Sequence, residues 1–435
     1  MRGPHHRVPA TATFFLALLA STACRTGAPD GRSSAATTPP AKGDASSTAG
    51  NDPVTRALGR LGPALLSAVR DAQPDEAALV SSFSVYAALA MVEGGARGAT
   101  REELRQALFI ADALPAETDQ AYADLMTRML ALRRPADAER AAVDVRVANA
   151  IWLDELTRPS EAFLQRNRDF YGAEVSSQDL QAPGMADVIN GWIHDATDGH
   201  IGPLLDEISP AMVAVLANAV YLKAPWDEPF EAGVTKNRPF HRADGSTVEV
   251  PTMRTTLGQA HYRASGTFEA VRLAFDGGSG AMTIYRPRND QDPDDVVAAL
   301  AEERRSGGSA AGEQTLVQLS LPRFRVEWRG SLRDRLEALG IRRAFDPAQA
   351  DFGDLHAGPF PTWIDDVIHG AFADVDEAGL EATAATVITM VGGMPSGEPP
   401  QVLVLEVDRP FVFEIEMAGA SLFMGVIEDP SILAP

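Results

Sequence analysis

Residues 218–223 have the sequence Asn-Ala-Val-Tyr-Leu-Lys, with Trp226 and Phe230 close behind, and they form the most informative stretch of the chain. They end a run of β-branched, aromatic and apolar residues at 213–222, which predicts a strand. Comparable runs, separated by short turns, predict six more strands at 145–152, 281–285, 315–321, 402–407, 411–415 and 422–427. Most of these strands follow residues 218–223, so the C-terminal half of the chain is rich in strands.

Helical patterns dominate the earlier part of the chain. Apolar residues recur at helical spacing across 54–72, which predicts a helix. Ser84 is a candidate N-cap for a second helix that ends at Gly94, and residues 100–103 (TREE) match a capping box. Helices early, strands late and a mixed order of elements predict an α+β fold rather than a doubly wound sheet.

The composition excludes several classes of function. The chain has 435 residues, with 60 acidic against 38 basic side chains and a net charge of −22 at pH 7. This acidic balance argues against nucleic-acid binding, which requires a basic face. Cys24 is the only cysteine, which excludes an internal disulfide, a CxxC redox pair and a cysteine-rich zinc site. Metalloprotease, P-loop and dinucleotide motifs are missing from the sequence. We therefore expect neither an enzyme nor a metal or cofactor site.

The first 52 residues are predicted to serve export. In residues 1–24, two arginines precede an apolar core at 14–20 (FFLALLA), which is too short to span a bilayer. The small residues before Cys24 resemble a bacterial lipoprotein processing site, in which that cysteine becomes lipidated. A plain secretory signal is the alternative. Residues 25–52, rich in Ala, Ser, Thr, Gly and Pro, are predicted to be a disordered tether. We expect an exported protein, located in the cell envelope or outside the cell.

Short motifs in a fixed order cover the remaining residues, 53–435. They are YGAEV at 171–175, INGW at 189–192, TDGHI at 197–201, NAVYLK at 218–223, PFH at 239–241, LPRF at 321–324, LGI at 339–341, ADF at 350–352, RPFVF at 409–413 and LFMG at 422–425. In this combination the chain resembles the serpin family, in particular its inhibitory bacterial type. The resemblance implies a single α+β domain with three β-sheets, about nine helices and an exposed reactive-centre loop at about 377–400.

Residues 377–386 (EAGLEATAAT) resemble the serpin hinge, where the reactive loop begins. Within it Gly379 permits a backbone swing. If the hinge is an extended strand, its two faces consist of Leu380, Ala382, Ala384 and Thr386, and of Glu381, Thr383 and Ala385. The first face is uncharged, so the strand could be buried on that side. Composition alone favours a short Ala-rich helix or a flexible loop, whereas the resemblance favours insertion as a strand.

The resemblance implies a protease inhibitor that acts as a suicide substrate. A serine protease would attack the loop and form an acyl-enzyme. The hinge-side strand would then insert into the main sheet and trap the protease covalently. An intact, Ala-rich hinge is typical of inhibitory members of the family. The alternative is a non-inhibitory serpin that acts as a surface binding or carrier protein. We expect a monomer that contacts a membrane only through the lipid anchor at Cys24.

The resemblance also implies roles for single residues. Four polar residues match the shutter, which holds the main sheet closed yet able to open: Ser81, Ser84, Asn218 and His369. Trp226 matches the breach, where insertion begins, and Glu377 and Arg323 match an ion pair there. These residues are expected to lie along one opening in the main sheet.

The cleaved bond follows from the family's spacing. Seventeen residues counted from Glu377 inclusive end at Gly393, which predicts cleavage between Gly393 and Met394. Because the stretch from there to Pro410 is longer than usual, Met390–Val391 and Met394–Pro395 remain alternatives. None of these bonds has Arg or Lys on its hinge side. The partners expected are therefore elastase-, chymotrypsin- or subtilisin-like serine proteases rather than trypsin-like ones.

Overall fold

The structure is a computed structural model, and it describes residues 52–74, 76–137, 141–208, 214–308, 312–356, 361–380 and 402–431. The α-helices in these ranges are α1 Pro53–Ala72, α2 Ser82–Glu93, α3 Gly98–Ala107, α4 Pro115–Ala131, α5 Glu161–Tyr171, α6 Met185–Ala196, α7 Pro293–Arg305 and α8 Arg333–Ala338. None of these helices is long and apolar enough to cross a membrane. The helix predicted at 54–72 is confirmed as α1.

The helix caps differ from the prediction at two places. The N-cap of α2 is Ser81 rather than Ser84, and its hydroxyl accepts a hydrogen bond from the Ser84 backbone N–H. The predicted capping box of α3 is also wrong, because Thr100 lies inside the helix. Its hydroxyl accepts instead from the backbone N–H of Asp351. A serine or threonine hydroxyl can bond to several nearby backbone groups, so the local sequence does not decide which residue caps the helix.

Fifteen strands are present in the described ranges. They are β1 Ala78–Val80, β2 Asp144–Asp154, β3 Glu174–Gln178, β4 Ala214–Pro225, β5 Lys236–His241, β6 Thr247–Ala264, β7 Phe268–Ala274, β8 Gly280–Pro287, β9 Glu313–Pro322, β10 Phe324–Ser331, β11 Ile368–Val375, β12 Gly379–Leu380, β13 Leu403–Glu406, β14 Phe411–Met417 and β15 Ala420–Ile427. All seven strands predicted from the sequence are confirmed, with ends shifted by a few residues.

The strands form one sheet of nine strands and one of six. In the larger sheet the order is β1-β15-β14-β8-β7-β6-β9-β13, with β5 paired to β6. The 18-residue strand β6 pairs first with β5 and later with β7, while β9 runs along its other side. Because β6 pairs with β5 at its start and with β7 at its end, it joins two of the three expected sheets into one continuous sheet. The three-sheet architecture implied by the resemblance is consistent with this arrangement.

The six-stranded sheet has the order β10-β11-β12-β4-β2-β3. One face of its strands β4 and β11 contributes Val220, Leu222, Ala371 and Ala373 to the main hydrophobic core. On the opposite face α6 packs its residues Ile189 and Ile193 over β2 and β4, which creates a second, smaller core. The sheet is thus covered on both sides, and any strand added to it would be buried.

Candidate functional site: a slot in the six-stranded sheet

The strands β4 and β11 stand on either side of a slot. Among the described residues these two strands do not pair with each other, and each pairs with the two-residue strand β12 between them. Leu380 lies opposite Val375 of β11 and opposite Ala224 of β4. We use "the slot" for the space between 214–223 of β4 and 368–374 of β11. Its upper end is therefore already occupied by the first two residues of a strand.

A tight turn connects β11 to β12. The Asp376 carboxylate accepts hydrogen bonds from the backbone N–H groups of Ala378 and Gly379, at 2.8 and 3.2 Å. Burial raises the pKa of Asp376, although the two N–H groups act in the opposite direction. Gly379 has a φ of 151°, and a Cβ there would lie 2.3 Å from the carbonyl oxygen of Ala224. This position therefore requires glycine for both conformation and space.

Trp226, for which the resemblance predicts a place in the breach, contacts the turn between β11 and β12. Its indole Nε1 donates to the carbonyl oxygen of Asp376 at 2.9 Å, and its backbone N–H donates to that of Ala378 at 3.0 Å. The indole stacks on Phe275 with ring centroids 5.1 Å apart. Because Trp226 directly follows β4, these contacts tie the end of β4 to the turn that leads into β12.

The predicted ion pair between Glu377 and Arg323 is present. Arg323 Nη2 and Nε lie 2.7 and 2.9 Å from Glu377 Oε1, and the Thr235 hydroxyl donates to the same oxygen. Burial acts to raise the pKa of Glu377, but the hydrogen bonds from Arg323 and Thr235 outweigh it and hold this pKa below its ordinary value. Arg323 is 45% exposed, so solvent screens the pair and its net contribution is small.

His369 lies near the end of the slot that is far from β12, and it is buried. Its Nε2 accepts a hydrogen bond of 3.1 Å from the backbone N–H of Ser81, so the neutral ring carries its proton on Nδ1. Burial lowers the pKa of His369 to about 4. At neutral pH the ring is therefore uncharged, and it joins β11 to the start of α2.

The other shutter residues lie close to His369. Ser84, Asn218 and His369 all line one largely apolar cavity of about 120 Å³ beneath α6. Asn218 donates from Nδ2 to Asn149 Oδ1 of β2 at 2.7 Å, whereas its own Oδ1 has no hydrogen-bond partner among the described residues. The four predicted shutter residues are thus brought together, roughly 25 Å along β4 from the breach.

The sequence did not point to three further residues of this site. Asn149 lies directly opposite Asn218 and donates to the carbonyl oxygen of Tyr171 at 2.7 Å. Ser82 donates to the carbonyl oxygen of Ser421 at 2.9 Å, and Thr235 belongs to the breach. For Asn149 a signal existed, since a polar side chain in the middle of an apolar strand needs a buried partner.

The comparison with known families decides the identity of the chain. The family model described as "Serpin (serine protease inhibitor)" matches residues 56–430. The chain belongs to the serpin family. A serpin-like protein of Thermococcus kodakarensis is 33% identical over 359 residues, which is 80% of each chain. Alaserpin of Manduca sexta is 29% identical over 384 residues, which covers 84% of this chain and 91% of the relative.

Solved structures show the same fold. Serpin48 of the insect Tenebrio molitor, described as a highly specific serpin, is 26% identical with a TM-score of 0.73, and the match covers 86% of this chain and 98% of the other. The thermophilic serpin tengpin in its native state has a TM-score of 0.75 at 24% identity, with 86% and 94% covered. These likenesses extend over nearly the whole of each solved serpin.

Several predicted positions lie outside the described residues. They are Cys24, the hinge residues Glu381, Ala382, Thr383, Ala384, Ala385 and Thr386, and the candidate bond residues Met390, Val391, Gly393 and Met394. Their roles stay predictions. In the part of the chain that the structure describes, no group of three or more His, Cys, Asp or Glu residues could hold a metal ion.

Proposed function

We propose that this serpin inhibits extracellular serine proteases as a suicide substrate. The protease serine attacks a carbonyl carbon in the reactive loop, and the released amine leaves as the new N-terminus of the C-terminal fragment. The hinge-side strand then enters the slot between β4 and β11 before water can release the acyl-enzyme. The protease remains covalently attached to the inserted strand and loses its active geometry.

The observation that carries the proposal is β12. Gly379 and Leu380 already pair with β4 on one side, and Leu380 pairs with β11 on the other, at the entrance of a slot whose two edges share no pairing of their own. If the strand continued in this register, Ala382 would face Leu222 and Ala373, and Thr386 would fall between Asn218 and His369. Leu380 is buried in the main core, so residues two and four places further on would point to the same side.

Side-chain size along this register favours insertion. The positions that would face the core are alanine, alanine and threonine at 382, 384 and 386, which need little space and carry no charge. An inserted strand of a dozen residues would add ~12 backbone hydrogen bonds of about 1 kcal/mol net each. A protease domain has only about 5–15 kcal/mol of stability. Insertion can therefore compete with the local order of the protease.

The target class follows from the loop sequence. The proposed bond Gly393–Met394 and its alternatives place Gly or Met, rather than Arg or Lys, on the hinge side. We propose targets with elastase-, chymotrypsin- or subtilisin-like specificity. The proposed export signal and lipidation of Cys24 would bring the inhibitor to proteases outside the cytoplasm, as a monomer on a tether.

The test is a panel of serine proteases mixed with the purified protein. We expect an SDS-resistant complex with at least one elastase-, chymotrypsin- or subtilisin-like enzyme, and none with trypsin. Mass spectrometry of the released C-terminal fragment then identifies the cleaved bond. Loop cleavage without any complex, across the whole panel, would refute inhibition and favour a non-inhibitory binding serpin.

A further inference from the structure

A largely apolar cavity lies between β4 and β11 at the end of the slot that is far from β12. Its volume is about 120 Å³. Residues 214–218 of β4 and 368–370 of β11 border it at the sides. The helices α2 and α6 cover it from the two faces of the sheet, with Val85, Leu89, Ile189 and Ile193 among the lining side chains. Four elements therefore frame a space of the size of a small molecule.

The orientation of the Asn218 amide in this cavity is fixed by the hydrogen bonds behind it. The carbonyl oxygen of Tyr171 can only accept, so the Asn149 group that bonds to it at 2.7 Å is the Nδ2 donor. Asn149 therefore turns its Oδ1 toward Asn218, whose Nδ2 donates to it at 2.7 Å. The Asn218 Oδ1 is buried and has no hydrogen-bond partner among the described residues. Because Asn218 lines the cavity, this oxygen is the polar atom that it offers there, and it is an acceptor.

A neutral, mostly apolar molecule with one hydrogen-bond donor would complement this lining. A water molecule needs two to four polar partners, whereas apolar side chains supply most of the lining. Asp365 and Asp366 belong to the lining, so a negative charge on the molecule would be repelled. An ammonium group would leave water for mostly apolar surroundings, which costs more free energy than moving a hydroxyl. A hydroxyl is therefore the donor that suits Asn218 Oδ1 best.

We propose that this cavity is a binding site for a single-ring aromatic alcohol of the phenol class. The ring would fill the apolar space between α2 and α6, and the hydroxyl would donate to Asn218 Oδ1. An apolar cavity of about 150 Å³ in another protein holds benzene, so about 120 Å³ limits the ligand to about one ring. A rigid ring also loses little conformational entropy when it binds.

The bound molecule would join elements that lie on both faces of the six-stranded sheet. It would contact α2, β4 and α6 at once, and only the folded chain brings these three together. Binding to the folded state alone raises the unfolding temperature as the ligand concentration increases. The inference is independent of the proposed function, because neither a protease nor loop cleavage takes part in it.

The experiment titrates the purified protein with phenol, toluene and benzoate, using isothermal titration calorimetry and thermal unfolding. Toluene has nearly the shape of phenol but no donor, and benzoate carries a negative charge. We expect phenol to bind about tenfold more tightly than toluene, the effect of one hydrogen bond to a buried acceptor. Phenol should raise the unfolding temperature, and benzoate should show no binding.

Three variants test the location of the ligand. Ala88→Leu fills part of the cavity from α2 and should abolish phenol binding. Val188→Leu enlarges a side chain of α6 that is 54% exposed, and it should leave the affinity unchanged. Asn218→Leu removes the acceptor at similar size, so phenol and toluene should bind about equally. Circular dichroism verifies that each variant is folded.

Several results would overturn the proposal. They are equal affinity of the wild type for phenol and toluene, no binding of either, unchanged phenol binding by Ala88→Leu, and a retained tenfold preference in Asn218→Leu. If a variant does not fold, nuclear Overhauser effects between phenol and the methyl groups of Val85 and Ile193 locate the ligand in the wild type. Bound phenol without these contacts would also refute the site.

Discussion

The face of the hinge that meets the core can be tested with a matched pair of substitutions. In the register set by β12, residue 384 would lie between Val220 and Ala371, which are only 8% and 2% exposed. Ala384→Arg would bury a charge there, at a cost of several kcal/mol. Insertion would stop after about four of the twelve residues. About two thirds of the ~12 kcal/mol available from backbone hydrogen bonds would then not be gained. Glu381→Arg exchanges one charge for another on the opposite face, where residue 381 would lie between the half-buried Lys223 and Asp374.

The assay compares both variants with the wild type against the protease that forms the strongest complex. We expect Ala384→Arg to be cleaved as a plain substrate, with no SDS-resistant band. Glu381→Arg should inhibit with a stoichiometry within about twofold of the wild type, because this position already carries a charge. Equal amounts of complex from the two variants would refute the register, and loss of complex from Glu381→Arg alone would show that the faces are reversed.

Three further predictions concern stability. Burial lowers the folded-state pKa of His369 to about 4, below the ordinary value near 6.5. The unfolded chain therefore takes up a proton at this residue before the folded one does, which lowers the free energy of unfolding as the pH falls from 6.5 toward 4. We expect a loss of about 3 kcal/mol between pH 7 and pH 4 in denaturant unfolding, and His369→Gln should lack this component. Gly379→Ala should cost about 1–3 kcal/mol through strain and its clash with Ala224, measured as a lower unfolding midpoint. Arg323→Ala should cost at most about 1 kcal/mol in thermal unfolding, and Arg305→Ala, which removes a more exposed pair with Glu302, should cost less.

The sequence predicted the strands well because their signal is local. Runs of β-branched and aromatic residues at 145–152, 411–415 and 422–427 pair with neighbours on both sides, so burial reinforces the intrinsic preference. The helix caps failed because a hydroxyl can serve several partners. Thr100 has the right chemistry for a cap, yet the backbone of Asp351, about 250 residues away, uses its oxygen. No local pattern contains that information.

The site was predicted in part. Three residues that the family pattern marks, Trp226, Arg323 and His369, lie along the two strands beside the slot or contact the turn into β12. Asn149 was missed, because its contact with Asn218 depends on which strand lies opposite. Pairing partners such as Asn149 and Asn218 are separated by 69 residues in the chain, and only the register of the sheet brings them together.

The polar groups along the slot explain how a buried sheet can accept another strand. His369 takes its hydrogen bond from Ser81 of the α2 cap, and Asn218 donates to Asn149 of β2, so both side chains are bonded away from the slot. Opening the slot therefore breaks no hydrogen bond between β4 and β11 in the described part of the sheet. The Asn218 Oδ1 is left without a partner there, which is costly in a low-dielectric interior. An inserted Thr386 hydroxyl would lie between Asn218 and His369 and could donate to this oxygen. Thr386→Val, which keeps the shape and removes the hydroxyl, should then reduce the gain in unfolding temperature after loop cleavage. An unchanged gain would show that Asn218 finds its partner elsewhere.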